Sequence, residues 1–396
     1  MSSGSDGGGP APPSPPRAAA GRVRPAYGGA SLVNLVSSVA GRFGVATGHP
    51  GLAGGPDLSG TGRIVLLICD ALGLGQFQHH LAGGALPRLG RLLAAGDARL
   101  DRLTSVFPST TAAALSSLHT GRTPAEHGHL GFALWLGGGP EVTDMLAGRD
   151  RRTGEPRAWP AGPPSIFPGL GRAGVTCRVV NSAAFAESAL SAWHFAGAEY
   201  RRWYSANSLP SLLAEAARHD PPLYTWAYWP DHDPVCHVHG PCGAEAADEL
   251  AVFDLVVERI LRGLPRDGRT ALLIAGDHGQ AALDPARAVP LEPLAPSRPA
   301  GDRTAAYLRS APGLAEALAP YAEVRAMDEI WAEGWFGGPP ATAAHRARTG
   351  DLLAVAHPGR QFLWTEPGAE PAVPWRGGHG GWSAEEMEVP LVSIRL

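Results

Sequence analysis

The apolar positions of this chain fall into short, dense runs separated by stretches of helical spacing. RIVLLICD, from Arg63 to Asp70, and TALLIAGDHG, from Thr270 to Gly279, are continuous apolar runs of strand length that lead into an acid. That is the pattern of a strand buried on both faces within a parallel sheet. Weaker runs of the same kind are VTCRVVNS around Cys177, LYTWAYW from Leu223 and VPLVSIRL at the C-terminal end. Between them, AADELAVFDLVVERILRGL sets Leu250, Phe253, Val257, Ile260 and Leu264 on one helical face. SLVNLVSSVAGRF begins with Ser31 where a helix N-cap is needed. Strands alternating with helices predict an α/β fold, with a mostly parallel central sheet covered by helices on both faces.

Composition divides the chain further. Residues 1 to about 28 are Gly, Pro, Ser and Ala, which bury too little apolar surface to offset the entropy of ordering; a disordered tail is expected there and a folded domain over 29–396. The stretch from about Leu283 to Pro374 is richer in Pro and Gly and reads as a small inserted or cap subdomain beside the site, about 283–374. At 396 residues and 44% hydrophobic, the chain is long enough for one large core. A net charge of -4 without a basic stripe speaks against nucleic-acid binding. No apolar run is long enough for a membrane span, and MSSGSDGGGPAPPSPPRAAAGRVRP has no apolar core of a secretory signal, so a cytoplasmic protein is expected. Cys69, Cys177, Cys236 and Cys242 show no paired spacing and read as free thiols. All 33 basic residues are Arg. The absence of Lys excludes a P-loop, a Schiff-base enzyme and the lysine-dependent serine hydrolases together. LGLGQF from Leu72 is too partial a glycine pattern for a dinucleotide site.

Reactive groups of open α/β sheets gather at the carboxyl ends of the strands. Asp70, Asp233 and Asp277 each follow an apolar run, and two of them are tied to histidines: His237 in DPVCH and His278 in GDHGQ. His379 stands in GGHGG, where small neighbours let the backbone bring an imidazole close to a metal. One strand-end acid often only caps the next helix, and a lone histidine is more often structural. The set together has the mixed carboxylate and imidazole chemistry of a zinc-like divalent site. In VFPSTTAAALSSLHTG, Ser and Thr precede a helix-forming stretch, so a hydroxyl would sit among free backbone N–H groups that favour an anion such as phosphate.

RIVLLICDALG, FPSTTAAALSSLHTGRTPAEHG, DPVCH, GDHG and GGHGG, in that order, resemble the type I phosphodiesterase/nucleotide pyrophosphatase branch of the alkaline phosphatase superfamily. The resemblance runs from about Tyr27 to the C-terminal end and implies an alkaline-phosphatase-like fold with two divalent ions, Zn2+ or else Mn2+. Asp70, Asp277 and His278 match the ligands of the metal that also binds the nucleophile oxygen; Asp233, His237 and His379 match those of the other. In the family the reactive hydroxyl lies nine residues before the Thr of a Thr-Gly pair; counting back from Thr120 gives Thr111, with Thr110 next in line. The implied function is hydrolysis of a small phosphate ester or nucleotide through a phospho-threonine intermediate. A phosphomonoesterase, phosphonate hydrolase or phosphomutase of the same superfamily, or a non-catalytic metal or anion binder, are the alternatives. The chain also departs from the pattern. HGHLGFALWL offers no Asn for the phosphate contact of nucleotide pyrophosphatases, no Arg matches that of alkaline phosphatases, and the sulfatase signature is absent. His119, His127, His129, His232 and His239 match no ligand position and are expected to be supporting or structural groups.

Overall fold

A computed structural model of the protein describes residues 21–396 apart from 138, 159, 161, 366 and 367. Its centre is a seven-stranded sheet. The strands are β1 (Arg63–Cys69), β2 (Ala98–Thr104), β3 (Thr176–Ser182), β4 (Glu199–Trp203), β5 (Leu223–Trp229), β6 (Thr270–Gly276) and β7 (Glu388–Arg395). Their order is β2-β7-β6-β1-β5-β3-β4, and only β7 runs against its neighbours. This is the mostly parallel α/β architecture expected from the apolar runs.

Every residue of β1, β5 and β6 is buried, as strands covered on both faces require. Alternate residues supply two separate cores. Ile64, Leu66 and Ile68 pack with helix α1 (Leu32–Arg42) and helix α2 (Thr111–Thr120) on one face. Val65, Leu67 and Cys69 face Leu250, Phe253, Val257 and Ile260 of a long helix over Ala244–Gly263 on the other. Each large side chain so buried contributes about 1.5–3 kcal/mol. The edge strands β2 (ARLDRLT) and β4 (EYRRW) carry too many polar residues to show an apolar run.

A second seven-stranded, antiparallel sheet lies beside the site. It does not come from one insert. Ala300–Gly301, Ala305–Leu308, Ala322–Ala326 and Leu352–Ala356 fall within the expected 283–374 region, but Ala133–Leu134, Thr143–Asp144 and Arg149–Asp150 come from far upstream. The other boundary also shifts. Residues 1–20 of the expected tail lie outside the described residues, whereas residues 21–28 pack on the domain. Val23 is buried and donates its N–H to the Trp382 carbonyl at 2.8 Å, and the Tyr27 hydroxyl reaches the Trp335 carbonyl at 3.2 Å. Two apolar anchors order a segment whose overall composition reads as tail. The four cysteines are free thiols, three buried and Cys242 exposed. No helix among the described residues is long and apolar enough to cross a membrane.

Candidate active site

Strand register builds the first half of the site. Cys69 of β1 pairs with Gly276 of β6, so the next residues, Asp70 and Asp277, leave the sheet side by side. Ala71, the one non-glycine residue with positive φ among the described residues, turns the chain there (φ 58°). The strained turn costs of order 1–2 kcal/mol and aims the Ala71 N–H at Asp277 Oδ1, 3.0 Å away. The His278 N–H reaches the same oxygen at 2.9 Å. Asp277 Oδ2 is thereby left facing inward. The Tyr228 hydroxyl donates to Asp70 Oδ2, which leaves Asp70 Oδ1 facing inward as well.

His278 stands between these carboxylates and α2. Its Nε2 is 3.5 Å from Asp70 Oδ1, 3.6 Å from Asp277 Oδ2 and 3.0 Å from the Thr111 hydroxyl. Thr111 is the first residue of α2. The three neighbouring hydroxyls differ in what they face. Ser109 Oγ donates to the Gly381 carbonyl at 2.7 Å, Thr110 holds the N-cap position with its Oγ1 buried and making no cap bond, and Thr111 Oγ1 faces His278 and the acids. Gly121 ends α2 in the left-handed conformation (φ 64°), and a Cβ there would lie 2.6 Å from a Thr47 methyl.

The second half rests on the helix that follows β5, α3 (His232–His239). Asp233 and His237 are one turn apart on one face, with His237 Nε2 3.2 Å from Asp233 Oδ2. His379 Nε2 approaches Asp233 Oδ1 at 3.6 Å, and the Gln280 amide donates to the same oxygen at 2.6 Å. The glycine loop reaches α3 only because it lacks side chains: a Cβ on Gly377 would lie 2.4 Å from the Cys236 carbonyl. The Gly377 carbonyl accepts His237 Nδ1–H at 2.9 Å.

All three histidines share one arrangement. His237, His278 and His379 donate Nδ1–H to the carbonyls of Gly377, Gly279 and Ser109, at 2.9, 3.1 and 3.2 Å. Since a carbonyl only accepts, the tautomer follows, and each Nε2 lone pair points into the site. This is how metal-ligating imidazoles are oriented. Two groups of donors each lie within 4.8 Å of one another: Asp70, Asp277 and His278, and Asp233, His278 and His379. His278 belongs to both; His237 belongs to neither and adjoins the second through Asp233.

The electrostatics call for cations. Burial, reinforced by Asp277 and Asp233, pushes the Asp70 carboxyl well above the ordinary range. Burial also raises Asp277, outweighing His278 and the two backbone donors. Burial pushes Asp233 the same way, but its hydrogen bond and charge contact with His237 overcome it and hold this carboxyl low. Burial lowers His379 strongly, whereas His237 is raised because Asp233 outweighs its burial. Asp70 Oδ1 and Asp277 Oδ2 are buried with no hydrogen-bond partner among the described residues. An uncompensated buried carboxylate costs several kcal/mol, which a coordinated divalent ion offsets. The residues present therefore fit the two ions that the motifs imply.

Sequence reasoning missed Asp302 and Asn181. Asp302 Oδ2 lies 3.6 Å from His379 Nδ1, and burial pushes its carboxyl up to about 6. It belongs to the second sheet's hairpin, where no motif marks it. Asn181, at the carboxyl end of β3, lines the same cavity as Thr111 and Asp70. Its Oδ1 accepts the Ser182 N–H at 2.7 Å, which leaves the amide N–H groups unused by that bond. It supplies an amide from a part of the chain where no Asn was expected, while Phe132 and its neighbours after the Thr-Gly pair supply none.

The other histidines near the motifs belong to neither donor group, though His194 lines the cavity that Thr111 and Asp70 share. His119, His127, His129 and His194 are buried behind α2; His119 and His194 have ring centroids 4.7 Å apart. Ser117 pairs with His127 Nε2 at 3.0 Å and Ser116 with His194 Nε2 at 3.1 Å. His232 packs on the Cys236 thiol (3.3 Å), and His239 meets Glu245 near the surface (3.3 Å).

A sequence model of type I phosphodiesterases/nucleotide pyrophosphatases matches residues 64–382. The chain belongs to that family. It is therefore a hydrolase acting on phosphoester-type bonds. No curated protein matches the chain by sequence. Among solved structures, murine ectonucleotide pyrophosphatase/phosphodiesterase 5, in an inactive variant bound to AMP, superposes with a TM-score of 0.62 at 16% identity, covering 84% of this chain and 87% of that one. Phosphonoacetate hydrolase from Sinorhizobium meliloti 1021, bound to phosphonoformate, gives 0.56 at 21% identity, covering 84% and 89%. At these identities the two structures speak for the family's fold.

Proposed function

We propose that the protein is a two-metal phosphodiesterase of this family that works through a covalent intermediate on Thr111. The observation that carries the reading is the placement of the Thr111 hydroxyl. It stands at the start of α2, 3.0 Å from His278 Nε2, facing two buried carboxylates with unused oxygens. Asp70, Asp277 and His278 would hold one divalent ion and Asp233, His237 and His379 the other; the mixed donor set favours Zn2+, with Mn2+ the alternative. When bound, such ions acidify a nearby hydroxyl and stabilise charge on the attacking and departing oxygens.

The chain's own groups do the rest. Thr111 Oγ forms the new bond to phosphorus while the ester P–O bond breaks in line and its oxygen leaves with the electron pair. Water then attacks phosphorus, the Thr111 Oγ–P bond breaks, and a proton returns to the hydroxyl. The N–H groups at the start of α2 and the Asn181 amide are the donors we assign to the equatorial oxygens. The AMP and phosphonoformate of the two related structures share a tetrahedral phosphorus anion. We assign that group to the space between Thr111 and the two donor groups.

The test is hydrolysis of bis(p-nitrophenyl) phosphate and p-nitrophenyl phosphate by protein of measured metal content, beside Thr111→Ala. Turnover that needs about two metals per chain, favours the diester and disappears in the variant is expected. Metal-loaded wild type that turns over neither ester would remove the hydrolytic reading.

A further inference from the structure

Next to the nucleophile lies a cavity of about 140 Å³ with Thr111 and Asp70 in its wall. Leu115, Leu146, Phe185, Leu190, Phe195 and Trp226 give the remaining wall its apolar surface, beside Asn181, Ser188, Ser191, His194 and Tyr228. The Phe195 and Trp226 rings are 5.3 Å apart, and Trp226 stacks on Tyr228 at 5.4 Å. The Tyr228 hydroxyl is committed to Asp70, His194 Nε2 to Ser116 at 3.1 Å, and Ser188 Oγ to the Ser191 N–H at 3.1 Å, while the Asn181 amide N–H groups are the ones assigned above to the equatorial oxygens. No Arg lines the cavity among the described residues, and the chain contains no Lys.

Position decides which part of a substrate this cavity takes. In an in-line displacement the leaving group departs opposite the attacking oxygen. The cavity wall contains Thr111 and Asp70, and none of Asp233, His237 or His379. It therefore receives the group that stays on phosphorus.

Resting on the proposed hydrolytic role, we infer that this retained group is a single uncharged apolar unit, the size of a phenyl ring or a short branched alkyl chain. A cavity of about 150 Å³ lined by Leu, Ile and Phe holds one benzene, and a purine with its ribose exceeds that. A carboxylate pointing away from the donor groups would meet an apolar wall with no Arg or Lys to receive it, at a cost of desolvation. The substrate class is thus R–P(O)2–OR′ with R an aryl or alkyl group joined to phosphorus directly or through oxygen. The P–OR′ bond breaks, Thr111 Oγ takes its place, and water releases R-phosphonate or R-phosphate. A retained R group also makes a diester or phosphonate monoester, rather than a phosphate monoester, the species that fills the site.

The experiment is calorimetric binding of phenylphosphonate, phosphonoacetate and AMP to the full-length metal-loaded protein, wild type and Phe185→Arg. Phe185 is 38% exposed, so the wall can accept the longer side chain. Wild type is expected to bind phenylphosphonate at least about tenfold tighter than the other two. Phe185→Arg is expected to weaken phenylphosphonate and tighten phosphonoacetate, a reversal that loss of structure cannot produce. Equal or tighter wild-type binding of AMP or phosphonoacetate overturns the inference, as does failure to bind any of the three; the wild-type ranking decides even where the variant does not fold. Preferential phenylphosphonate binding by an enzyme that hydrolyses no p-nitrophenyl ester upholds the pocket and removes the hydrolytic role.

Discussion

The histidines behind α2 make the fold acid-sensitive by an amount that can be worked out. Burial depresses both His119 and His127 to about 3, and His129 and His194 well below their ordinary value. A neutral folded imidazole and a protonated unfolded one mean that the unfolded chain binds more protons below about pH 6.5. Stability is therefore complete above that pH and falls as pH drops toward 3. At pH 5 each of the two withdraws about 2 kcal/mol, from 1.36 kcal/mol per pH unit, and together they remove about 4 of the roughly 5–15 kcal/mol typical of a domain. His119 is the residue to change. Both its ring nitrogens lack a hydrogen-bond partner among the described residues, and it packs on Phe167, Phe195 and Trp226. His119→Leu removes the titrating group without breaking a hydrogen bond. Urea unfolding of wild type and variant at pH 7.5 and 5.0 isolates the effect, because acid release of metal acts on both proteins and cancels. The variant is expected to lose about 2 kcal/mol less than wild type between those pH values. An identical loss in both would refute the assignment of acid sensitivity to this cluster.

Thr111→Ala is expected to lower turnover by about 10³-fold or more while metal content, read by elemental analysis, stays unchanged. Asp277→Asn removes a buried charge, so the metal-free variant should unfold at higher urea than metal-free wild type, while its metal content falls toward one per chain. Gly377→Ala must push the loop off α3, since the new Cβ would meet the Cys236 carbonyl at 2.4 Å. With the His237 Nδ1 acceptor displaced, metal affinity should fall about 10–100-fold in a competition titration with a chelator. Asn181→Ala should lower kcat on the diester by about tenfold or more with metal content intact, and an unchanged kcat would remove Asn181 from the site.

What could be read in the sequence follows from where each residue sits. β1, β5 and β6 are buried on both faces and show as continuous apolar runs. β2 and β4 sit at the sheet edges, one side open to water, and their arginines hide them. Asp70, Asp277 and the histidines were legible because strand ends, an i, i+4 pair and a glycine loop are local patterns. Asp302 and Asn181 were not, because they join the site through strand pairings distant in sequence. The second sheet escaped for a related reason: several of its strands are two residues long and it closes across separate parts of the chain.

The placement of β7 has a consequence for assembly. It is inserted between β2 and β6, and the Arg102–Glu388 contact between β7 and β2 spans 286 residues. Until β7 arrives, β6 exposes a seven-residue, mostly apolar edge that is wholly buried in the finished sheet, and β2 has no place in it. Such distant pairing is slow to form, and an open apolar strand invites pairing with another molecule. The glycine loop carrying His379 lies just upstream of β7, so the last of the proposed metal donors is brought home by the same event that closes the sheet. Any half-folded form of this protein is consequently both the most aggregation-prone species and an inactive one, and refolding yield should fall with protein concentration long before the native enzyme loses stability.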